Sequence, residues 1–401
     1  MIQKIYFLYR KFRFILLLLL IFPFFYFGIK AGWNQTNSDF PNYYVSSKLL
    51  LNGQLDEAYD IQKFSHHIEK YNQHAAGLFV MYPPTTALMT IYLSPFEILI
   101  AKRIWILLSI IAAFGIIYFM SEQLKIDLID ASIMLLISGF NIYNDLMLGQ
   151  VYILMVFFIV FGWYLYHNDK LLSAGMIWGI VAAMKFLPLF FIPFFIFKKQ
   201  FKISAAILFT FLFFHCITFY FGGIACYKAF IQVFIENYIH GKVANEIATS
   251  SQYQSIEALV NLMQQHYFIS NLSGSIIKIL WKLFWISLCF VSCYKYINGK
   301  KFVPVAIASI SLLLLLFEHG SATYHLLFCL IVLLTVFELN FSMFWKICIL
   351  CAYFLLGFLP YFVHFIHSEH LILNFIRLWS LSLFSLLFFL ALKWHDKSFE
   401  V

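Results

Sequence analysis

Charge is what this sequence has least of. Only 11% of its 401 residues are Asp, Glu, Lys or Arg, against about 25% in an average soluble domain. A soluble chain so poor in charge could not cover its own surface, so a globular protein dissolved in water is excluded. Sustained apolar/polar alternation is also missing, and a membrane β-barrel needs it over about 10 residues per strand. Zinc-finger cysteine spacing is absent. The seven cysteines are an odd number, and the one CxxC pair, Cys348 and Cys351, falls inside an apolar run. Cys216, Cys289, Cys293, Cys329, Cys348 and Cys351 lie within apolar runs and Cys226 just beyond one, so they read as small packing residues. No low-complexity segment or internal repeat is visible, which speaks against the two related halves of many secondary transporters. No P-loop or GxGxxG pattern marks a nucleotide pocket.

What the chain has in abundance is apolar and aromatic residues, 63% and 21% of the total. Lipid is the natural solvent for them. In lipid every backbone amide must be satisfied within the protein, and long unbroken apolar runs do this as helices. The expected fold class is therefore all-α, a polytopic helical membrane protein. The net charge of +8 does not indicate nucleic-acid binding. Lys and Arg fall in short clusters between apolar runs, where the positive-inside rule places them.

Lys4, Arg10, Lys11 and Arg13 precede the run Phe14 to Phe27. This reads as an uncleaved first span starting in the cytoplasm. The longest polar stretch follows, residues 31–83, and is expected as an extended extracytoplasmic loop. Apolar segments then occupy about 84–99, 101–120, 129–147, 150–167, 171–184 and 187–197 before the cluster Lys198-Lys199-Gln200-Phe201-Lys202. Six full crossings would leave that cluster outside, so two segments share one broken span or one does not cross. A break at Lys185 to Pro188 is one candidate, and the stretch before Lys102-Arg103 is another. Beyond Lys202 the register is regular, with a second extracytoplasmic loop at 223–272 and charge at Lys295, Lys300, Lys301, Lys346, Lys393 and Lys397 on the inner side. The expectation is a single membrane domain over residues 1–401, of about 12 transmembrane helices with both ends cytoplasmic.

Several polar residues stand out against this background. Asp39 opens the first loop among aromatics, in Asp39-Phe40-Pro41-Asn42-Tyr43-Tyr44. It can be an N-cap for a helix over Tyr43 to Leu51, or a general base. Tyr82-Pro83-Pro84 precedes the next apolar run, an ordinary helix start. Gln150 interrupts two apolar segments, and Lys185 lies in Met184-Lys185-Phe186-Leu187-Pro188. An intramembrane lysine is costly and usually functional or paired, although near an interface it can snorkel. Gln254-Ser255 lies in the second loop, and Tyr324-His325 opens a late span. Lys185 and His325 could each meet an anionic group such as a lipid phosphate. His66, His67, His74, His364, His367 and His370 form no defined metal motif.

In set and order these motifs resemble glycosyltransferase family 87, membrane mannosyltransferase-like enzymes of the GT-C superfamily. The resemblance rests on Asp39, Tyr43, Tyr44 and the turn Leu50-Leu51-Asn52-Gly53, with Tyr59 beyond, then Tyr82-Pro83-Pro84 and Ser94-Pro95. It continues through Gly149-Gln150-Val151, Gly175 and Gly179 leading to Lys185 and Pro188, Gln254-Ser255, and Ser321, Tyr324 and His325. It spans residues 39 to 330. Two departures are Ala322, where relatives often have Pro, and Asn261, where they have Arg.

The resemblance implies a GT-C type fold in the bacterial cytoplasmic membrane. It implies transfer of a sugar, mannose, from a polyprenyl-phosphate donor to a glycolipid or glycan acceptor at the extracytoplasmic face, with inversion. Asp39 is then the expected base, and Lys185 and His325 the candidates for the phosphate. Tyr43, Tyr44, Tyr82, Gln150, Gln254, Ser255 and Tyr324 are expected to line donor or acceptor. No cofactor, metal or nucleic-acid partner is expected, and membrane lipid surrounds the body. A transporter or glycolipid flippase using Lys185 and the intramembrane amides is the alternative.

Overall fold

The computed structural model describes residues 2–36, 38–71, 79, 82–238, 254–266, 268–299, 301–318, 322–364 and 374–395. Every regular element among them is helical. Six helices are long and apolar enough to cross a membrane: Leu8–Trp33, Ile98–Leu124, Phe201–Glu236, Asn271–Tyr296, Met343–Tyr361 and Ile376–Trp394. The bent pair Leu128–Leu136 and Phe140–Leu148 makes a seventh if it is one span. Five shorter apolar helices are Tyr152–His167, Leu171–Met184, Leu187–Phe197, Phe302–Phe317 and Thr323–Glu338. Of the residues singled out in the sequence, His74, Lys300, Ser321, His367, His370 and Lys397 lie outside the described residues.

The apolar segment at 84–99 is not a span. It folds as a five-residue helix, Thr85–Met89, and a short 3-10 turn, Ile91–Leu93. Five residues rise only about 7.5 Å. The reason lies in its buried threonines. Thr85 donates to the Ala183 carbonyl and Thr86 to the Met184 carbonyl at 3.1 Å. Those carbonyls belong to the last turn of Leu171–Met184, where no intrahelical donor remains. Thr90 donates to the Tyr43 carbonyl at 3.0 Å. The segment thus serves helix ends rather than lipid. The stretch before Lys102-Arg103, the second candidate, is therefore the segment that does not cross: regular structure lapses after Leu93, and one continuous helix, Ile98–Leu124, follows. The chain does break at Lys185, whose extended backbone ends the Leu171–Met184 helix.

Two other expectations are refined. The first helix continues past Phe27 to Trp33, through a π-helical stretch, Phe24–Lys30, that follows Pro23. The second loop is helical at its start, since the helix Phe201–Tyr238 runs through it with a kink at Gly223. The kink needs φ of 66° and ψ of −175°, a combination essentially confined to glycine.

The chain forms two compact units. One comprises Met1–Ile21, Met120–Asn141 and Val243–Val401, and the other Phe22–Phe119 and Ile142–Lys242. In the first, the Phe302–Phe317 and Thr323–Glu338 helices are almost wholly buried. Asp127 caps the Leu128–Leu136 helix, and Arg13 pairs with both Asp127 and Asp130.

In the second unit, glycines let backbones approach. A Cβ on Gly179 would lie 2.5 Å from the Thr210 Cβ, and one on Gly175 2.7 Å from the Ile203 carbonyl oxygen. The motif preceding Lys185 is therefore a packing face against the Phe201–Tyr238 helix, of the small-xxx-small kind. A second such pair, Gly28 and Gly32, closes the first helix onto Leu146 and Met147. A Cβ on Gly32 would sit 2.7 Å from the Leu146 carbonyl oxygen, and one on Gly28 3.1 Å from the Leu146 Cδ1. This contact carries the chain into Asp39 close to the turn holding Gln150.

Gly32→Val should destabilise the purified protein by about 1–3 kcal/mol, because backbone cannot yield as a side chain can. Gly28→Ala, facing a methyl group, should cost less. Thermal unfolding in detergent measures both, and an unchanged midpoint for Gly32→Val would contradict the backbone contact.

Candidate functional site

Asp39 stands at the N-cap position of the helix Phe40–Leu51, and its carbonyl accepts from the Asn42 N–H at 3.0 Å. Its side chain makes no capping bond. The carboxylate instead accepts from the Gln150 side chain, Nε2 to Oδ2 at 2.6 Å. The capping role open to this residue in the sequence is therefore not the one its side chain takes.

Gln150 is held from every direction. Tyr43 Oη lies 2.5 Å from Gln150 Oε1 and 2.9 Å from Tyr82 Oη. A phenol has one proton, and an amide oxygen can only accept. Tyr43 therefore donates to Gln150, and Tyr82 donates to Tyr43. The Gln150 carbonyl accepts from Trp105 Nε1 at 2.9 Å, and the Tyr43 and Trp105 rings stack at 6.0 Å. The result is an oriented chain, Tyr82 to Tyr43 to Gln150 to Asp39, ending on a carboxylate. Tyr59 fixes the far end by donating to the Tyr82 carbonyl at 3.0 Å. Burial pushes the Tyr59 phenol well above its ordinary pKa, which keeps it a neutral donor.

The turn bearing Gln150 follows from its neighbours. Gly149 adopts φ of 72°, and a Cβ there would come within 2.8 Å of the Phe40 Cβ, so glycine is required on both counts. Asp145, fully buried, accepts from the Tyr152 N–H at 3.0 Å and from the Ile153 N–H. It thereby caps the Tyr152–His167 helix across the turn.

Lys185 belongs to the same neighbourhood. Its ammonium donates to Tyr152 Oη and lies 4.7 Å from the centre of that ring, a cation–π distance. Tyr152 is two residues from Gln150. Asp39, Tyr43, Tyr82, Gln150 and Lys185 are thus gathered in one unit. Tyr44 is not with them. One residue further round the helix, it donates to the Phe96 carbonyl at 2.8 Å and packs edge-on against Tyr71.

The remaining sequence candidates lie in the other unit. Gln254 Oε1 accepts from the Arg377 N–H at 2.6 Å, meeting a first-turn donor of the Ile376–Trp394 helix. Ser255 caps the helix Ile256–Gln265 through the Ala258 N–H at 3.1 Å. Both explain themselves as caps. His325 Nδ1 lies 2.6 Å from Glu318 Oε2 and 3.4 Å from the Ala322 nitrogen. One nitrogen cannot donate and accept at once, and the short contact identifies Nδ1–H as donor to Glu318. Tyr324 packs edge-on against the His325 ring at 4.9 Å. Asn261, at the position where relatives carry Arg, accepts from Lys278 at 2.7 Å. Among the described residues no group of three or more His, Cys, Asp or Glu could hold a metal ion.

Sequence reading missed Trp105, Asp145 and Tyr152. An aspartate seven residues before a helical amide was the available signal for Asp145. The two aromatics carried none, being lost among 21% aromatic residues.

Tyr43→Phe should leave the buried Gln150 oxygen without this donor and cost about 1–3 kcal/mol. Chemical or thermal unfolding of the purified variant tests this; wild-type stability would remove Tyr43 from the chain of bonds.

Comparison with known proteins places these features in a family. No curated protein and no solved structure matches the chain. The family model described as Glycosyltransferase family 87 matches residues 79–318. That interval includes Tyr82, Gln150, Lys185, Gln254 and Ser255, and begins beyond Asp39. It covers more than half of the sequence, and the chain belongs to glycosyltransferase family 87.

Proposed function

We propose that this membrane glycosyltransferase moves mannose from a polyprenyl-phosphate donor to an acceptor hydroxyl on a glycolipid or glycan, with Asp39 as general base. The acceptor oxygen attacks the anomeric carbon as the bond from that carbon to the phosphate oxygen breaks. The acceptor proton passes to Asp39, and polyprenyl phosphate departs with the electron pair. A single displacement inverts the centre. Lys185 offsets the charge of the departing phosphate, and Tyr82 and Gln150 border the reacting groups. The family excludes a transporter as the simplest reading.

The observation that carries this assignment is the Asp39 carboxylate, turned away from the helix it precedes and held by Gln150. A base must be fixed in position, and the Gln150 amide supplies a donor that orients the carboxylate.

Topology supports the same reading. With 84–99 removed as a crossing, strict alternation from a cytoplasmic N-terminus gives twelve spans. Asp39, Gln150 and Lys185 then share the extracytoplasmic side, and Lys198-Lys199 faces the cytoplasm as positive charge should. The same count puts Asp169 and Lys170 inside. A bacterial cytoplasmic membrane, with the reaction at its outer face, fits a lipid-linked donor.

Asp39→Asn keeps an acceptor for Gln150 but removes the base. It should retain its fold and membrane insertion and lose about 10²–10⁴-fold in transfer from polyprenyl-phosphate mannose. Transfer at the wild-type rate by purified Asp39→Asn would sink the mechanism. Lys185→Met should lower the same rate while the protein stays folded; an unchanged rate would remove Lys185 from the phosphate. A panel of polyprenyl-phosphate sugars, read by mass spectrometry of the lipid fraction, decides the sugar. Transfer from a different sugar alone would correct mannose without touching Asp39.

A further inference from the structure

Lys102 and Arg103 interrupt the first turns of an otherwise apolar helix, Ile98–Leu124. Arg103 reaches outward, its Nη2 donating to Asn34 Oδ1 at 2.9 Å and its Nε to the Trp33 carbonyl at 3.3 Å. Lys102 turns inward and is fully buried. Its ammonium donates to three oxygens: the Gln35 carbonyl, Ser38 Oγ at 2.9 Å and the Met147 carbonyl at 2.9 Å. An ammonium has three N–H groups, so this set is complete. With no donor left over and no exposed surface, Lys102 cannot serve a substrate phosphate.

We infer that Lys102 is the positioning residue of the site, a buried clamp that sets the Asp39 carboxylate against Gln150. This rests on Asp39 being the base. Two of the three acceptors lie on the segment between the first helix, which ends at Trp33, and the helix that begins at Phe40. The described residues of that segment are in no helix, and Ser38 is the residue immediately before Asp39. The third acceptor, Met147, is three residues before Gln150. One side chain therefore joins both pieces of chain that supply the carboxylate and its donor. Lys102 also attracts the Asp39 carboxylate electrostatically. A buried cation is costly without an opposing charge, and Asp39 is that charge. The clamp thus draws the carboxylate towards the protein interior while Gln150 orients it.

The experiment compares wild type, Lys102→Met, Asp39→Asn and the double variant in full-length protein, with the polyprenyl-phosphate sugar that wild type uses. Lys102→Met keeps the volume of the side chain and removes charge and donors. Misplacing a reacting group by about 1 Å can cost 10²-fold, and a loss of that order in kcat per folded molecule is expected. The donor KM should stay within about two-fold, because the interaction belongs to the chemical step. The double variant should be no slower than Asp39→Asn alone, since a clamp has nothing to position once the base is gone.

Hydrogen exchange should rise in residues 33–39 and 146–150 of Lys102→Met. Wild-type kcat in Lys102→Met, losses that multiply in the double variant, or unchanged exchange in those segments would each overturn the inference. Ser38→Ala, which removes one acceptor only, should fold even if Lys102→Met does not, and should lower kcat at constant KM; wild-type kcat there would also count against it. Full activity in Asp39→Asn would instead overturn the base assignment, and the exchange measurement would still decide whether Lys102 holds the segment.

Discussion

The hydrogen bond from Gln150 to Asp39 is the interaction on which the rest of the site depends. A primary amide has two distinct ends, and which end faces the carboxylate is decided elsewhere. Tyr43 settles it, because its proton must go to the amide oxygen, leaving the amide nitrogen for Asp39. Tyr82 then supplies the proton that Tyr43 can accept. An ionised Asp39, the form that a general base needs before it acts, presents an acceptor oxygen to the amide in this orientation. A flipped amide would set Tyr43 against an NH2 group.

This bond spans residues 111 apart in sequence, so its length is fixed by how two backbones meet. Gly28 and Gly32 bring the end of the first helix against Leu146 and Met147, and Gly149 admits Phe40. Side chains at these three positions would hold the two segments apart. Packing of this kind suits a membrane body, where lipid gives little hydrophobic drive for helices to associate and close backbone approach replaces it.

Much of this was legible in the sequence, for physical reasons. Low charge and long apolar runs imply a helical membrane protein whatever the details. Asp39, Gln150 and Lys185 were visible because polar residues are rare in such runs and costly there. The parity problem before Lys198 was visible too, with the stretch before Lys102-Arg103 as one of two candidates, but the choice between them was not. Hydropathy counts the apolar residues of 84–99 and is blind to Thr85, Thr86 and Thr90 donating to backbone carbonyls. Tyr43 and Tyr44 look equivalent in sequence and differ by 100° of helical rotation, which sends one hydroxyl to Gln150 and the other to Phe96. Gln254 and Ser255 attracted notice as loop polar residues and turn out to meet helix ends. Lys102 read as a topological marker because a positive-inside count registers charge and not burial.

These structural roles share one cause. Every helix leaves donors at its start and acceptors at its end, and in a membrane body protein groups must meet those that water does not reach. Most polar residues in such a sequence are therefore bound to serve helix ends. Thr85 and Thr86 close the Leu171–Met184 helix, Asp145 opens Tyr152–His167, Ser255 opens Ile256–Gln265, and Arg103 meets the Trp33 carbonyl. Against that pattern the informative residue is one placed to cap whose side chain does not. Asp39 occupies an N-cap position and directs its carboxylate to Gln150 instead. The helix Phe40–Leu51 has Pro41 as its second residue, which has no N–H to satisfy, and so loses less without a side-chain cap. The sequence feature that releases Asp39 from structural duty is thus the proline two residues after it.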